Sequence, residues 1–269
     1  MLEFAKMNGA GNDFVMLDNR NGSLQLTQAE IASLCDRHRG VGADGVLMVE
    51  PARSGADFRM RYYNADGGEA EMCGNGARCF AKYVNLLAGP FEEVSFETQA
   101  GVIGAKFIES GVRVAMSNPK DLRMHESVSI RLETLVVHSV NTGVPHAVVF
   151  VDELEQVAIC KLGSQIRNHS HFAPKGTNVN FVEKLGDSRI AIRTYERGVE
   201  GETLACGTGV CASAIILHEL TGAPTPISVT VRGGETLEVG FEKIDGEYKN
   251  VTLTGPADFV FEGKIEGTL

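Results

Sequence analysis

The chain has 269 residues, a net charge of −10, 43% hydrophobic residues and six cysteines, enough for one large domain or two of ordinary size with packed cores. The acidic balance, with no Lys/Arg-rich block, argues against nucleic acid and anionic lipid as partners, and no run of about 18 apolar residues offers a membrane span. Met1 to Asn8 lacks the charged and apolar segments of a signal peptide, so the expected setting is the cytoplasm, where thiols stay reduced, and the expected partner is a small molecule.

Taken in order, Leu2 to Met7 and Phe14 to Asp18 read as strands, and Thr27-Gln28-Ala29-Glu30 is a capping box ahead of a helix through Arg37. Strands follow at Val46 to Val49 and Phe58 to Tyr63. A helix opening at Cys73 ends near Gly89-Pro90, and strands come after it at Val94 to Thr98, Val102 to Ile108 and Val112 to Met116. Ser117-Asn118-Pro119-Lys120 marks a boundary. Beyond it the plan recurs: strands near Leu135 to Val140 and Ala147 to Val151, helical pieces through Ile166, and strands at Val179 to Glu183 and Arg189 to Tyr195. A helix opening at Cys206 and ended by Gly222 and Pro224 follows, and strands at Ile227 to Val231, Glu235 to Phe241 and Tyr248 to Leu253 complete the order. A duplicated unit of this length is too long for a solenoid. Two α+β units are expected, each a curved, mainly antiparallel sheet around a central helix, because that arrangement buries helices this apolar.

The two helices open on near-copies of one motif, Met72-Cys73-Gly74-Asn75-Gly76-Ala77 and Ala205-Cys206-Gly207-Thr208-Gly209-Val210. Each thiol is placed at a helix N-terminus, where unpaired N–H groups and the positive end of the helix dipole favour an anion and draw a thiol toward its thiolate. Two thiols on two similar units suggest a pair facing one reacting carbon from opposite sides. The remaining cysteines, Cys35, Cys79, Cys160 and Cys211, lie in apolar or helical surroundings and read as buried and inert.

Three other readings compete. A metal site built on Cys73 with Cys79 or Cys206 with Cys211 is disfavoured, because side chains six or five apart on a helix diverge by about 120° or 140°. His169 and His171 read as a polar loop. A dinucleotide site at Gly40-Val41-Gly42-Ala43-Asp44-Gly45 follows a helix and precedes a strand, the reverse of the order that seats a pyrophosphate. The match at Gly207 to Ala212 opens a helix, but no βαβ unit follows. A Cys/His nucleophile with His146 as base leaves the duplication unexplained, whereas two equivalent acids suit inversion at a carbon bearing hydrogen. The carbanion formed there needs preorganised donors on the α-carboxylate, which N–H groups at Gly74, Asn75, Gly207 and Thr208 would provide. No pyridoxal lysine motif is evident, so neither cofactor nor metal is expected.

Gly9-Ala10-Gly11-Asn12-Asp13-Phe14, Asn64-Ala65-Asp66-Gly67, the two cysteine motifs, Pro145-His146, Thr177-Asn178-Val179-Asn180 and Glu196-Arg197-Gly198 together resemble the diaminopimelate epimerase family along nearly the whole chain. The resemblance implies a cofactor-independent epimerase that interconverts LL- and meso-2,6-diaminopimelate in the route to lysine and cell-wall peptide. It implies two pseudosymmetric domains, residues 1–117 joined by the C-terminal segment 257–269, and residues 118–256, with the active site between them. By matching position it makes Cys73 and Cys206 the acid and base pair. It puts Gly74, Asn75, Gly207 and Thr208 on the reacting α-carboxylate, and Asn12, Asn64, Asn178 and Arg197 on the distal end, where the planar fork of Arg197 suits a carboxylate. Glu196 and His146 are implied near the thiols, to bind the ammonium group or tune thiol pKa, with structural hydrogen bonding as the alternative. A homodimer is left open. Gly143-Val144-Pro145-His146 departs from the family's usual Gly-Asn-Pro-His, and valine offers no hydrogen bond to the distal end. A proline racemase-like enzyme, whose first cysteine motif carries histidine where Asn75 stands, and a non-catalytic amino-acid binder of the same fold remain as alternatives.

Overall fold

In the computed structural model, which describes residues 1–70, 72–130 and 133–266, the chain divides into two units: Met1–Val114 with the segment from Gly255 onward, and Ala115–Thr254. The first carries β1 (Leu2–Gly9), β2 (Asn12–Asp18), α1 (Gln28–Cys35), β3 (Gly45–Pro51), β4 (Phe58–Asn64), β5 (Glu69–Ala70), α2 (Gly74–Ala88), β6 (Glu93–Thr98), β7 (Gly101–Ile108) and β8 (Gly111–Ala115). The second carries β9 (Lys120–Ile130), β10 (Glu133–Asn141), β11 (Pro145–Phe150), α3 (Ile159–Arg167), β12 (Asn178–Gly186), β13 (Arg189–Glu196) and β14 (Gly201–Thr203). It continues with α4 (Gly207–Thr221), β15 (Ile227–Thr230), β16 (Thr236–Ile244) and β17 (Glu247–Gly255), and β18 (Asp258–Ile265) then belongs to the first unit.

Pairing is the same in both units. In the first, β18 is antiparallel to β1, β1 to β2, β3 to β4, β6 to β7 and β7 to β8. The parallel pairs are β2 with β3 and β4 with β6. In the second, β9 is antiparallel to β10, β10 to β11, β12 to β13, β15 to β16 and β16 to β17. Its parallel pairs are β11 with β12 and β13 with β15. The short strands β5 and β14 flank β4 and β13. Each sheet is therefore mixed, and the two parallel pairs in each are those that bracket a helix-containing crossover.

The central helices explain why the sheets curve. From Val210 to Leu217 every residue of α4 is fully buried, so apolar sheet meets it on all sides. In α2 the same holds for Ala77 to Ala81. The caps behave as their residues dictate: Thr27 and Glu30 form the complete capping box of α1, and Gly222 ends α4 in the left-handed conformation at φ 69°. Helix α1 stops at Cys35, short of the expected Arg37, because Asp36 Oδ1 accepts the N–H groups of His38 and Arg39 and turns the chain. The N–H groups of Gly40, Val41, Gly42 and Ala43 then return to carbonyls of Leu34, Cys35 and Asp36. This glycine-rich loop spends its donors on the helix before it.

Two long strands escape the sequence reading. In β9 (Lys-Asp-Leu-Arg-Met-His-Glu-Ser-Val-Ser-Ile), inward positions alternate with exposed ones, but charged neighbours dilute the period of two. In β18 Phe259, Val260 and Phe261 are all exposed, so no burial alternation exists and the strand owes its order to pairing with β1. Cys160 also departs from expectation. It is exposed, in the first turn of the short helix α3, whose buried residues are Ile159, Gly163 and Ile166.

Candidate active site

In the first unit Cys73 takes extended backbone (φ −134°, ψ 122°) and caps α2, its sulfur accepting the Gly76 N–H at 3.4 Å. The thiol is half-buried and donates to Asn12 Oδ1 at 3.4 Å. The Asn12 amide cannot turn over freely, since its Nδ2 donates to Asp44 Oδ2 at 2.7 Å. Asp44 in turn belongs to a charged set with Arg37, Asp13 and Lys6. Burial pulls the Asp13 pKa up, but hydrogen bonds from Arg37 and Lys6 outweigh it and hold the carboxyl at about 2.

Gly74 and Asn75 form the first turn of α2, both buried, with Asn75 1% exposed. Close approach explains Gly9: a Cβ there would lie 2.8 Å from Asn75 O and 3.0 Å from Cys79 Sγ, so only glycine lets the end of β1 meet this turn. Asn64 stands at the exposed end of β4, where its N–H bonds Gly68 O at 2.9 Å.

Arg78 is a site component that the sequence reading missed. It is fully buried, one turn into α2, and its guanidinium donates to Pro256 O (3.1 Å), Gly74 O (3.4 Å) and Asn75 Oδ1 (3.1 Å). Arg78 thereby fixes the orientation of the Asn75 amide, with Oδ1 turned to the guanidinium. A cation buried behind the helix N-terminus adds to the positive potential there. The available signal was a lone arginine inside the apolar stretch Ala77 to Ala81.

In the second unit Cys206 (φ −125°, ψ 104°; 7% exposed) occupies the equivalent cap of α4. Its sulfur lies 3.5 Å from Thr208 Oγ1. The same hydroxyl lies 2.9 Å from His146 Nε2, and the main-chain oxygen of Thr208 accepts from Thr142 Oγ1 at 2.8 Å. His146, on β11, is fully buried, and its Nδ1 lies 3.1 Å from Asn180 Nδ2 on β12. Burial first, and the charge of Arg197 second, push the His146 pKa down to about 3, so the ring is neutral near pH 7. Gly209 makes this packing possible, since a Cβ there would collide with Asn180 Oδ1 and come within 3.4 Å of His146 Cε1.

Asn178 is engaged at both ends of its amide. Oδ1 accepts the Arg197 N–H at 2.8 Å and Nδ2 donates to Pro145 O at 3.4 Å. The side chain fixes the turn that presents Arg197, whose Nη1 lies 3.4 Å from Gly176 O and 3.5 Å from Lys175 O. Glu196, half-buried, ends β13 opposite Gly201 of β14. The second unit thus gathers Cys206, Gly207, Thr208 and His146 around one helix end and joins Asn178 to Arg197 beside it. Asn180 and Thr142 had no assigned part; the signal for Asn180 was its period-two spacing from Asn178 in the apolar strand β12.

Two other thiols, Cys35 and Cys79, are set for inertness. Burial pushes Cys35 up to about 11 and Cys79 up to about 12. His169 and His171 fall in a short helical turn, with His171 Nε2 at 2.9 Å from Glu126 Oε1. Among the described residues, no three His, Cys, Asp or Glu side chains gather as metal ligands, and no helix is long and apolar enough to cross a membrane.

The family model described as diaminopimelate epimerase matches residues 4–121 and 138–260. The diaminopimelate epimerase of Aquifex aeolicus (strain VF5) is 42% identical over 276 residues, covering 98% of each chain. That of Chlorobaculum tepidum is 40% identical over 267 residues, covering 96% of this chain and 99% of its own. Among solved structures, a PhzF-family phenazine biosynthesis protein from Bacillus anthracis superposes with a TM-score of 0.74 at 16% identity, covering 98% of this chain and 99% of that one. A probable proline racemase from Agrobacterium radiobacter K84 superposes at 0.71, also at 16% identity, covering 99% of this chain and 93% of that one. At such identity the structural likeness is one of fold alone.

Proposed function

The chain belongs to the diaminopimelate epimerase family, an isomerase of lysine biosynthesis, and from that premise we propose that Cys73 and Cys206 carry out its reaction as a thiol and thiolate pair. One thiolate removes the α-proton of diaminopimelate and the other thiol returns a proton to the opposite face, so the reverse reaction exchanges the two roles. The observation that carries this reading is the equivalence of the two cysteines, each the N-cap of the buried helix of its own unit, in extended backbone.

The α-hydrogen is a very weak acid, and stabilisation of the carbanion falls to donors aimed at the α-carboxylate. In this reading they are the N–H groups of Gly74, Asn75, Gly207 and Thr208, with the Asn75 amide oriented by Arg78. Arg197 and Asn64 read the distal amino-acid end, Glu196 takes an ammonium group, and Asn12 is shared between Cys73 and substrate. Asn178 acts through the Arg197 turn. His146, neutral and buried, supports Thr208 and cannot hold an anion by charge.

The same proposal includes a homodimer and a cytoplasmic setting. The dimer is supported by the apolar run Phe259, Val260 and Phe261, 45%, 55% and 45% exposed on β18. Sedimentation at micromolar concentration showing only monomer removes that part.

The test is conversion of LL- to meso-diaminopimelate by purified protein with reductant and no added cofactor. Cys73→Ala and Cys206→Ala are each expected to lower the rate by about 10³-fold or more. Either variant turning over at the parental rate rules out the pair.

A further inference from the structure

Four side chains of the second unit are linked in a row: Asn180, His146, Thr208 and Cys206. Where each proton sits follows from the far end. Asn180 Nδ2 lies 3.1 Å from Ala147 O, a carbonyl that only accepts, and Asn180 Oδ1 lies 3.0 Å from the Thr194 hydroxyl, which donates to it. The amide therefore turns its NH2 toward His146, 3.1 Å from Nδ1. Nδ1 has to accept, so the single proton of the neutral ring is on Nε2. Nε2–H then donates to Thr208 Oγ1 at 2.9 Å, and the threonine's own proton is available to the Cys206 sulfur at 3.5 Å.

We propose that Asn180 is a positioning residue for the epimerisation: by fixing the Nε2–H tautomer of His146, it makes the Thr208 hydroxyl a donor to Cys206 Sγ and favours the thiolate there. The opposite tautomer would place a lone pair on Nε2, draw the Thr208 proton to the ring and withdraw that donor from the sulfur, which favours the thiol. Burial holds the row in place. Asn180 and His146 are fully buried, and Gly209 leaves room for Asn180 Oδ1 against the first turn of α4. The tautomer is thus set by strand β12 and not by solvent. The proposal rests on the assignment of Cys206 as a reacting thiol.

The first test is nitrogen NMR of the full chain labelled with ¹⁵N-histidine, with His146 assigned by its loss in His146→Gln. Nδ1 is expected to give a pyridine-type shift and Nε2 a pyrrole-type shift, both unchanged between pH 8 and pH 5.5. A proton found on Nδ1 overturns the proposal. The second test is residue-resolved alkylation by iodoacetamide at pH 7 under reductant. Asn180→Ala and Thr208→Val are each expected to slow Cys206 by about three- to tenfold, the worth of one hydrogen bond, while Cys73 in the same molecules keeps its rate. An unchanged Cys206 rate in Thr208→Val contradicts the relay even where Asn180→Ala fails to fold. Neither readout needs turnover. A Cys206→Ala enzyme that still epimerises would therefore count against the role given to Cys206 and leave the tautomer assignment standing.

Discussion

His146 is neutral in the fold and has an ordinary imidazole pKa of about 6.5 once unfolded, which makes it a source of acid lability. With its folded pKa down at about 3, the unfolded chain binds the extra proton across the window from about 6.5 to about 3. Stability therefore falls as pH drops through that window, by up to roughly 1.4 kcal/mol per pH unit from this group. Urea unfolding of His146→Gln at pH 7 and pH 5 is expected to show a smaller acid loss than the parent; an equal loss removes His146 as the cause. Arg78 gives a second residue-scale expectation. Arg78→Met leaves Pro256 O, Gly74 O and Asn75 Oδ1 without this donor, at a cost of about 2–4 kcal/mol in urea unfolding. The helix-cap positions of Cys73 and Cys206 were legible because their motif is duplicated and local. Arg78 and Asn180 were not, because their meaning lies in partners remote in sequence: Pro256 for the first, His146 and Thr194 for the second.

Among the elements, the helices were the most legible, since glycines, caps and apolar runs mark their ends within a few residues. The strands β9 and β18 were not, one because charge masks its alternation and the other because it has none. Their order comes from partners supplied by β10 and β1, which no local window contains. Helix α4 meets β11 and β12 so closely at Gly209 that Gly209→Ala must push Asn180 or the helix aside. We expect a loss of about 1–3 kcal/mol in urea unfolding, with slower Cys206 alkylation. Full stability and full reactivity together would mean that the contact yields without cost.

For the whole molecule, the repeated order of strands and helices was readable as a duplication and the family resemblance placed the C-terminal segment with the first unit, while the mixed pairing and the partner of the last strand came from the structure. The second unit is continuous in sequence and the first is not, because β18 pairs β1 from Leu2 with Ile265 to Asn8 with Asp258. A chain ending at Thr254 is expected to lose protease resistance in Met1–Val114, and residues 115–254 alone to keep their circular dichroism yet show no epimerisation, having one thiol of the pair. Activity from that fragment would contradict a reaction shared between equivalent units.

Two thiols acting on one carbon leave a distinct isotopic record, which proton NMR of LL-diaminopimelate turned over in heavy water reads out. Meso product is expected to carry deuterium at the inverted carbon while the unreacted LL substrate, early in the reaction, keeps its α-proton, and neither Cys73→Ala nor Cys206→Ala is expected to invert the carbon. Deuterium entering LL substrate as fast as meso product, or inversion by either variant, would mean that a single base serves both faces and would rule out the thiol pair.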